Sequence, residues 1–198
     1  MSLESHPGRR VVTDPLALRA LAHPLRLKIY GVVGREGRMT AAEAARQIGI
    51  SQALASHHLR QLAKYGYVEP SPAGDGRERP WQITSTANRF RGDDSPEAWE
   101  SVEFLDRYMA EQAVEQLADW QLRREDQDPR WSELAGSDQS LLYLTIEEVA
   151  ELKEAVNALF AERARRRPLG DATKRPADAV PVNFTLVTAP LRPTASGG

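Results

Sequence analysis

The stretch TAAEAARQIGISQALASHHLRQLAKYGYVEP, Thr40 to Pro70, decides the fold. It holds two short helical patterns separated by Gly49-Ile50-Ser51. Thr40 with Glu43 three residues on is a capping-box pattern, and Gly49 is a helix-ending residue. Ser51 caps the second helix, which Gly66 stops. In that second helix Ala55, Leu59 and Leu62 recur at helical spacing, whereas Gln52, Ser56, His57 and Arg60 fall on other faces. So many hydrogen-bonding side chains on one short exposed surface call for a partner that is itself polar.

Upstream, Asp14-Pro15 is an N-cap followed by proline at the first helical position, opening a helix through about Ala22. His23-Pro24 breaks it and starts another, PLRLKIYGVVGREG, whose Leu25, Ile29, Val32 and Val33 form an apolar face closed by Gly34 and Gly37. After Gly66 the period changes. YVEPSP and RPWQIT are short strands around AGDGRE, whose glycines and aspartate suit a hairpin loop. Four helices and then a two-stranded ribbon, with a tight turn joining the last two helices, describe a winged helix-turn-helix.

In that arrangement the second helix of the pair lies in the DNA major groove, so its outer face needs groups that reach base edges and phosphates. The predicted DNA-binding residues are Ser51, Gln52, Ala53, Ser56, His57 and Arg60 on the helix, with Arg77 and Arg79 on the wing. Gln52 suits a bidentate contact to adenine, the amides at the Ser51 end suit a phosphate, and the wing arginines suit the backbone or minor groove.

The residues ALAHPLRLKIYGVV and SQALASHHLRQLAKYGYVEP, with Ser56, His58 and Leu59 matching a Ser-x-His-Leu core, resemble the ArsR-type winged-helix transcriptional regulators over roughly residues 14–90. The resemblance implies a homodimer that binds a roughly palindromic operator and often represses. It also assigns Gln52, Ser56 and His57 to the reading positions and Arg77 and Arg79 to the wing. Metal-sensing relatives use cysteines near the recognition motif or carboxylate and histidine ligands on the C-terminal helix; this chain has no cysteine and no histidine after His58. Its histidines have other uses: His6 in a tail, His23 at a helix junction, His57 on the DNA face and His58 beside the core. Neighbouring helix positions such as His57 and His58 diverge by about 100° and make poor joint metal ligands. No metal and no cofactor is expected.

Charge divides the 198-residue chain. Residues 1–91 carry 14 Lys+Arg against 7 Asp+Glu, residues 92–160 carry 5 against 18, and residues 161–198 carry 7 against 3, giving +7, −13 and +4 within a net charge of −2. A basic first part fits a polyanionic partner, and an acidic middle suggests a second task. SPEAWESVEFLDRYMAEQAVEQLADWQLRRED, capped by Ser95 with Pro96 at the first position, is a long helix. Its stripe of Val102, Leu105, Met109, Leu117 and Trp120, with Leu16, Leu18 and Leu21 of the N-terminal helix, is the predicted dimerisation seam. Trp99, Phe104, Tyr108, Trp120 and Trp131 offer aromatic surface for an unidentified small-molecule effector. Further on, SLLYLT and PVNFTLVTAP read as strands on either side of the helix TIEEVAELKEAVNALFAERARRR, which Thr145 and Glu148 cap. The two strands can share a sheet within one chain or pair across a dimer.

The expected architecture is mainly α with small β (α+β). A winged helix-turn-helix DNA-binding domain spans about 10–91, and a dimerisation and effector domain spans 92–190, made of a long helix and a small β-α-β region. A flexible tail covers 191–198. No run is apolar enough to span a bilayer and the first residues lack a secretory pattern, so the chain reads as cytoplasmic. There is no phosphate loop, nucleophile elbow or zinc-binding helix motif, which argues against an enzyme. The expected function is that of a sequence-specific, homodimeric transcriptional repressor acting on double-stranded DNA. The alternative is a winged-helix adaptor that binds another protein through its acidic half.

Overall fold

The computed structural model describes residues 9–71, 79–85, 87–93, 95–167 and 174–192. It divides into two units, Met1–Leu105 with Ser140–Val180 and Asp106–Gln139 with Pro181–Gly198.

In the first unit β1 (Arg9–Val12) leads into α1 (Pro15–Leu21), α2 (Pro24–Glu36), α3 (Ala41–Ile48) and α4 (Gln52–Lys64). Each helix starts where a side chain satisfies its orphan amides. Asp14 Oδ1 accepts from the Leu16 amide at 3.1 Å, and His23 Nδ1 accepts from the Leu25 amide at 3.2 Å. Thr40 and Glu43 cap α3 reciprocally, and Ser51 Oγ accepts from Leu54 at 3.2 Å. Gly49 ends α3 in the left-handed region at φ 76°, a conformation that any side chain disfavours. Gly34, expected to close α2, lies inside it; the helix runs on to Gly37, at φ 89°.

Strand β2 (Val68–Pro70) pairs antiparallel with β3 (Trp81–Ile83), placing Val68 opposite Ile83 and Pro70 opposite Trp81. Met39 adds a bridge to Trp81, with Met39 N donating to Trp81 O at 3.0 Å and Trp81 N to Met39 O at 2.7 Å. The ribbon is thereby fastened to the residue just before the Thr40 cap. A second pair was not anticipated: β1 runs parallel to β4 (Ala87–Phe90), with Arg10 opposite Asn88.

The core is mostly apolar. Leu18, Leu21, Ile29, Val33, Leu59, Leu62, Val68 and Leu105 are each under 2% exposed, and each such side chain contributes about 1.5–3 kcal/mol relative to leaving it in water. Tyr67 is also fully buried and keeps its hydroxyl satisfied by donating to the Ala17 carbonyl at 2.9 Å. The Arg10 guanidinium lies 4.7 Å from the Tyr67 ring centroid and donates to the Tyr65 carbonyl at 2.6 Å and to that of Gly66. β1 thus ties down the end of α4 through the Arg10 side chain.

Helix α5 (Pro96–Arg123) begins in the first unit and ends in the second. Ser95 Oγ accepts from Ala98 N at 3.3 Å at its start. The second unit also holds a short turn of 3-10 helix and α6 (Trp131–Leu134), and in it Asn183 Nδ2 donates to Gln116 Oε1 at 2.8 Å. Helix α7 (Ile146–Arg166) belongs to the first unit, carries the expected Thr145–Glu148 capping box and buries no residue.

Two expectations are corrected. The mainly α fold with small β holds, but residues 140–145 and 181–190 form no strand, so the β-α-β region reduces to α7. Alternating apolar residues supply a face for a strand but not a neighbouring edge to bond it, and Leu141, Leu142, Tyr143, Phe184 and Leu186 stay exposed. Four members of the expected dimer seam are closed off within the single chain: Leu18, Leu21 and Leu105 are at most 1% exposed and Val102 is buried. Apolar stripes at helical spacing serve an intrachain core as readily as a subunit interface.

Candidate nucleic-acid interface

Helix α4 has two faces. Ala55, His58, Leu59 and Leu62 are buried and seat it, chiefly against α2 and α3. Ser51, Gln52, Ala53, His57 and Arg60 are exposed, and Ser56 is half-buried between the faces. Residues 52–64 contain no carboxylate, so the outer face presents His57, Arg60 and Lys64 to a polyanion with no opposing charge of its own. The cap at Ser51 leaves the helix N-terminus pointing outward, with the positive end of its dipole beside the same face.

The turn between α3 and α4 fixes how that face is offered. Gly49 N donates to Ala45 O at 2.9 Å and Ile50 N to the same carbonyl at 3.0 Å, which closes α3 before Ser51 opens α4. At the far end of α3 the Glu43 carboxyl is held below its ordinary range by hydrogen bonds from the Thr40 backbone and hydroxyl. Arg60 is itself positioned, because its Nη1 donates to Ser56 Oγ at 2.8 Å across one helical turn.

On the wing, Arg79 is exposed just before β3, and Arg77 lies outside the described residues. Two members of the face escaped the sequence reading. Leu54 is 40% exposed in the first turn of α4, where an apolar side chain suits a thymine methyl. Lys64 is exposed with its Nζ 5.5 Å from the Tyr65 ring centroid. Leu54 belongs by type to a core pattern, and only the rotation of the helix on its neighbours shows it outward. Arg10, one of the cations of the basic N-terminal part, points the other way, into the Tyr65–Gly66 carbonyls.

No group of three or more His, Asp or Glu residues among the described residues is arranged to hold a metal ion. No described helix is long and apolar enough to cross a membrane.

The fold and this face are those of a winged helix-turn-helix domain. Residues 21–70 match a family model described as a helix-turn-helix domain. Over 71 residues the chain is 30% identical to the arsenic resistance transcriptional regulator ArsR1 of Pseudomonas putida, a match covering 34% of this chain and 56% of that protein. Among solved structures, reduced HlyU from Vibrio cholerae N16961 matches at 22% identity and a TM-score of 0.32, over 47% of this chain and 84% of that one. A mutant MarR from E. coli complexed with operator DNA matches at 16% identity and a TM-score of 0.31, over 74% and 84% of the two chains.

Proposed function

We propose that the protein is a sequence-specific, DNA-binding transcriptional regulator that acts as a homodimer on a roughly palindromic operator and represses from it. One observation carries this: α4 seats itself with Ala55, His58, Leu59 and Leu62 and turns Gln52, His57 and Arg60 outward on a face without a carboxylate. Gln52 and His57 are base-reading candidates, Ser51 and Arg60 phosphate contacts, and Ala53 and Leu54 admit close approach to the groove. A single copy offers one reading helix, whereas two half-sites about 34 Å apart need two, held at fixed spacing. Exposed Leu16 and Met109, with half-buried Leu117 and Trp120, are the seam residues that retain surface for a second copy.

With no cysteine in the sequence, sensing through a thiolate metal site has no place in this reading. Such a regulator works in the cytoplasm, on the nucleoid, with the division of labour falling near residue 91.

Selection of bound duplexes from random DNA, followed by salt titration, tests it. A regulator enriches a two-fold related sequence and binds it far more tightly than random DNA. Gln52→Ala and His57→Ala then each lose about 1–3 kcal/mol of discrimination. A protein-binding adaptor would show at most weak affinity, indifferent to sequence, and either result separates the two functions.

A further inference from the structure

We propose that His23 and His58 are positioning residues that seat α4 for reading DNA, and that the seat holds only while both imidazoles are uncharged. The inference rests on the DNA-binding reading and adds a proton-dependent control to it.

The two rings meet where the α1–α2 junction touches the inner face of α4. Their centroids are 5.2 Å apart with the planes tilted by 42°. His58 is 7% exposed, and its Nδ1 is enclosed with no hydrogen-bond partner. His23 is the N-cap of α2, its Nδ1 accepting from the Leu25 amide. A ring nitrogen that accepts an amide hydrogen carries no proton, so this cap requires neutral His23.

The charged and titratable groups that act directly on the pair oppose a second proton. His57, on α4 itself, lies edge-on to His58 at 5.3 Å. Arg26, from α2, acts on both imidazoles; its Nη2 donates to the Arg19 carbonyl, its Nε is buried without a partner, and Tyr65 acts on it in turn. Burial first, then Arg26 on His23 and the neighbouring His23, His57 and Arg26 on His58, hold both imidazoles below their ordinary value, while a hydrogen bond with its own backbone acts the other way on His23. For such a group the contribution to the seat is complete above about pH 6.5 and is lost as pH falls below it, because the released ring binds the proton more readily. Protonated His23 also sets a positive charge at the N-terminus of α2 and removes its cap.

This dependence has the opposite sign to simple electrostatics. Positive charge added to an exposed face strengthens attraction to phosphate, so a rigid interface would bind DNA more tightly on acidification.

The test uses the full chain and a duplex selected at pH 7.5, with affinity measured at pH 7.5 and 5.5 at constant salt. The wild type should lose about tenfold or more in affinity at the lower pH. The variant His23→Asn with His58→Phe keeps a cap and an aromatic contact but cannot titrate, and should lose less than about threefold. A second measurement needs no DNA: in NMR titrations the two imidazole signals should move together with amide shifts in the first turn of α2 and in α4. Wild-type affinity that holds or rises at pH 5.5, a variant that falls as far as the wild type, or a loss explained by global loss of helix in circular dichroism overturns the proposal. Absence of sequence-specific binding at pH 7.5, with the coupled amide shifts present, would instead remove the DNA-binding reading and leave the histidine junction standing.

Discussion

The guanidinium of Arg60 donates to the hydroxyl of Ser56 at 2.8 Å, one turn earlier on the outer side of α4. A long cation on a surface helix loses rotamer entropy when it grips a phosphate, and this bond takes up part of that loss before DNA arrives. Ser56→Ala should therefore weaken DNA binding partly through Arg60. A double-mutant cycle with Arg60→Ala should return a coupling of about 0.5 kcal/mol or more. Additive losses would show that the two side chains act independently.

The wing makes a separate contribution. Arg79 is exposed beside β3, at the edge of a ribbon that Met39 and Trp81 fasten to the start of α3. Arg79→Ala should weaken binding to selected and random duplexes alike and lower the salt slope by about one unit, the share of a single neutralised phosphate. Arg77→Ala is expected to behave the same way. An unchanged slope would take that arginine off the phosphate backbone.

The dimer seam must be tested where side chains still have surface. Glutamate at Leu105 would desolvate a carboxylate inside the fold, since that residue is fully buried, and so could not report on association. Met109→Glu with Leu117→Glu is the informative variant, because Met109 is 38% exposed and Leu117 half-buried. It should stay helical yet sediment as a monomer and lose tight operator binding. A folded variant that still dimerises would move the seam elsewhere.

Stability should respond most sharply at two hydrogen bonds. Tyr67→Phe leaves the Ala17 carbonyl without its 2.9 Å donor in the buried core and should cost about 1–2 kcal/mol in denaturant unfolding. Thr40→Ala removes the α3 cap and should cost about 1 kcal/mol. Hydrogen bonds from Thr40 lower the Glu43 carboxyl below its ordinary value. Its stabilising share is accordingly present above about pH 4.3 and disappears as pH falls through the folded value. The gap between wild type and Thr40→Ala should narrow in acid, and a gap independent of pH would show that the Thr40 hydroxyl contributes nothing through Glu43, whose bond from the Thr40 amide the variant keeps.

Much of the first half was legible because its signals are local. Asp14, His23, Thr40 and Ser51 each cap the helix that follows within three residues, and Gly49 needs only its own φ to end α3. Capping and helical period are fixed by neighbours along the chain, so Thr40 to Pro70 suffices to show both helices and the polar face of the second. The β2–β3 ribbon followed from a change of period around a turn-forming loop.

Only tertiary structure decided the rest, because it depends on which distant groups meet. The β1–β4 pair joins Val12 to Phe90 with no turn between them to announce it, and Arg10 reaches Tyr65 and Gly66 across more than fifty residues. Val102 and Leu105 share one periodic stripe with Met109 and Leu117, yet the first two are buried within the chain and Met109 is not. Periodicity states that a face is apolar; the covering surface determines whether it is core or interface. Residues 140–145 and 181–190 show the same division: their composition favours a strand, yet they form none, because composition alone does not supply the paired edge a strand requires.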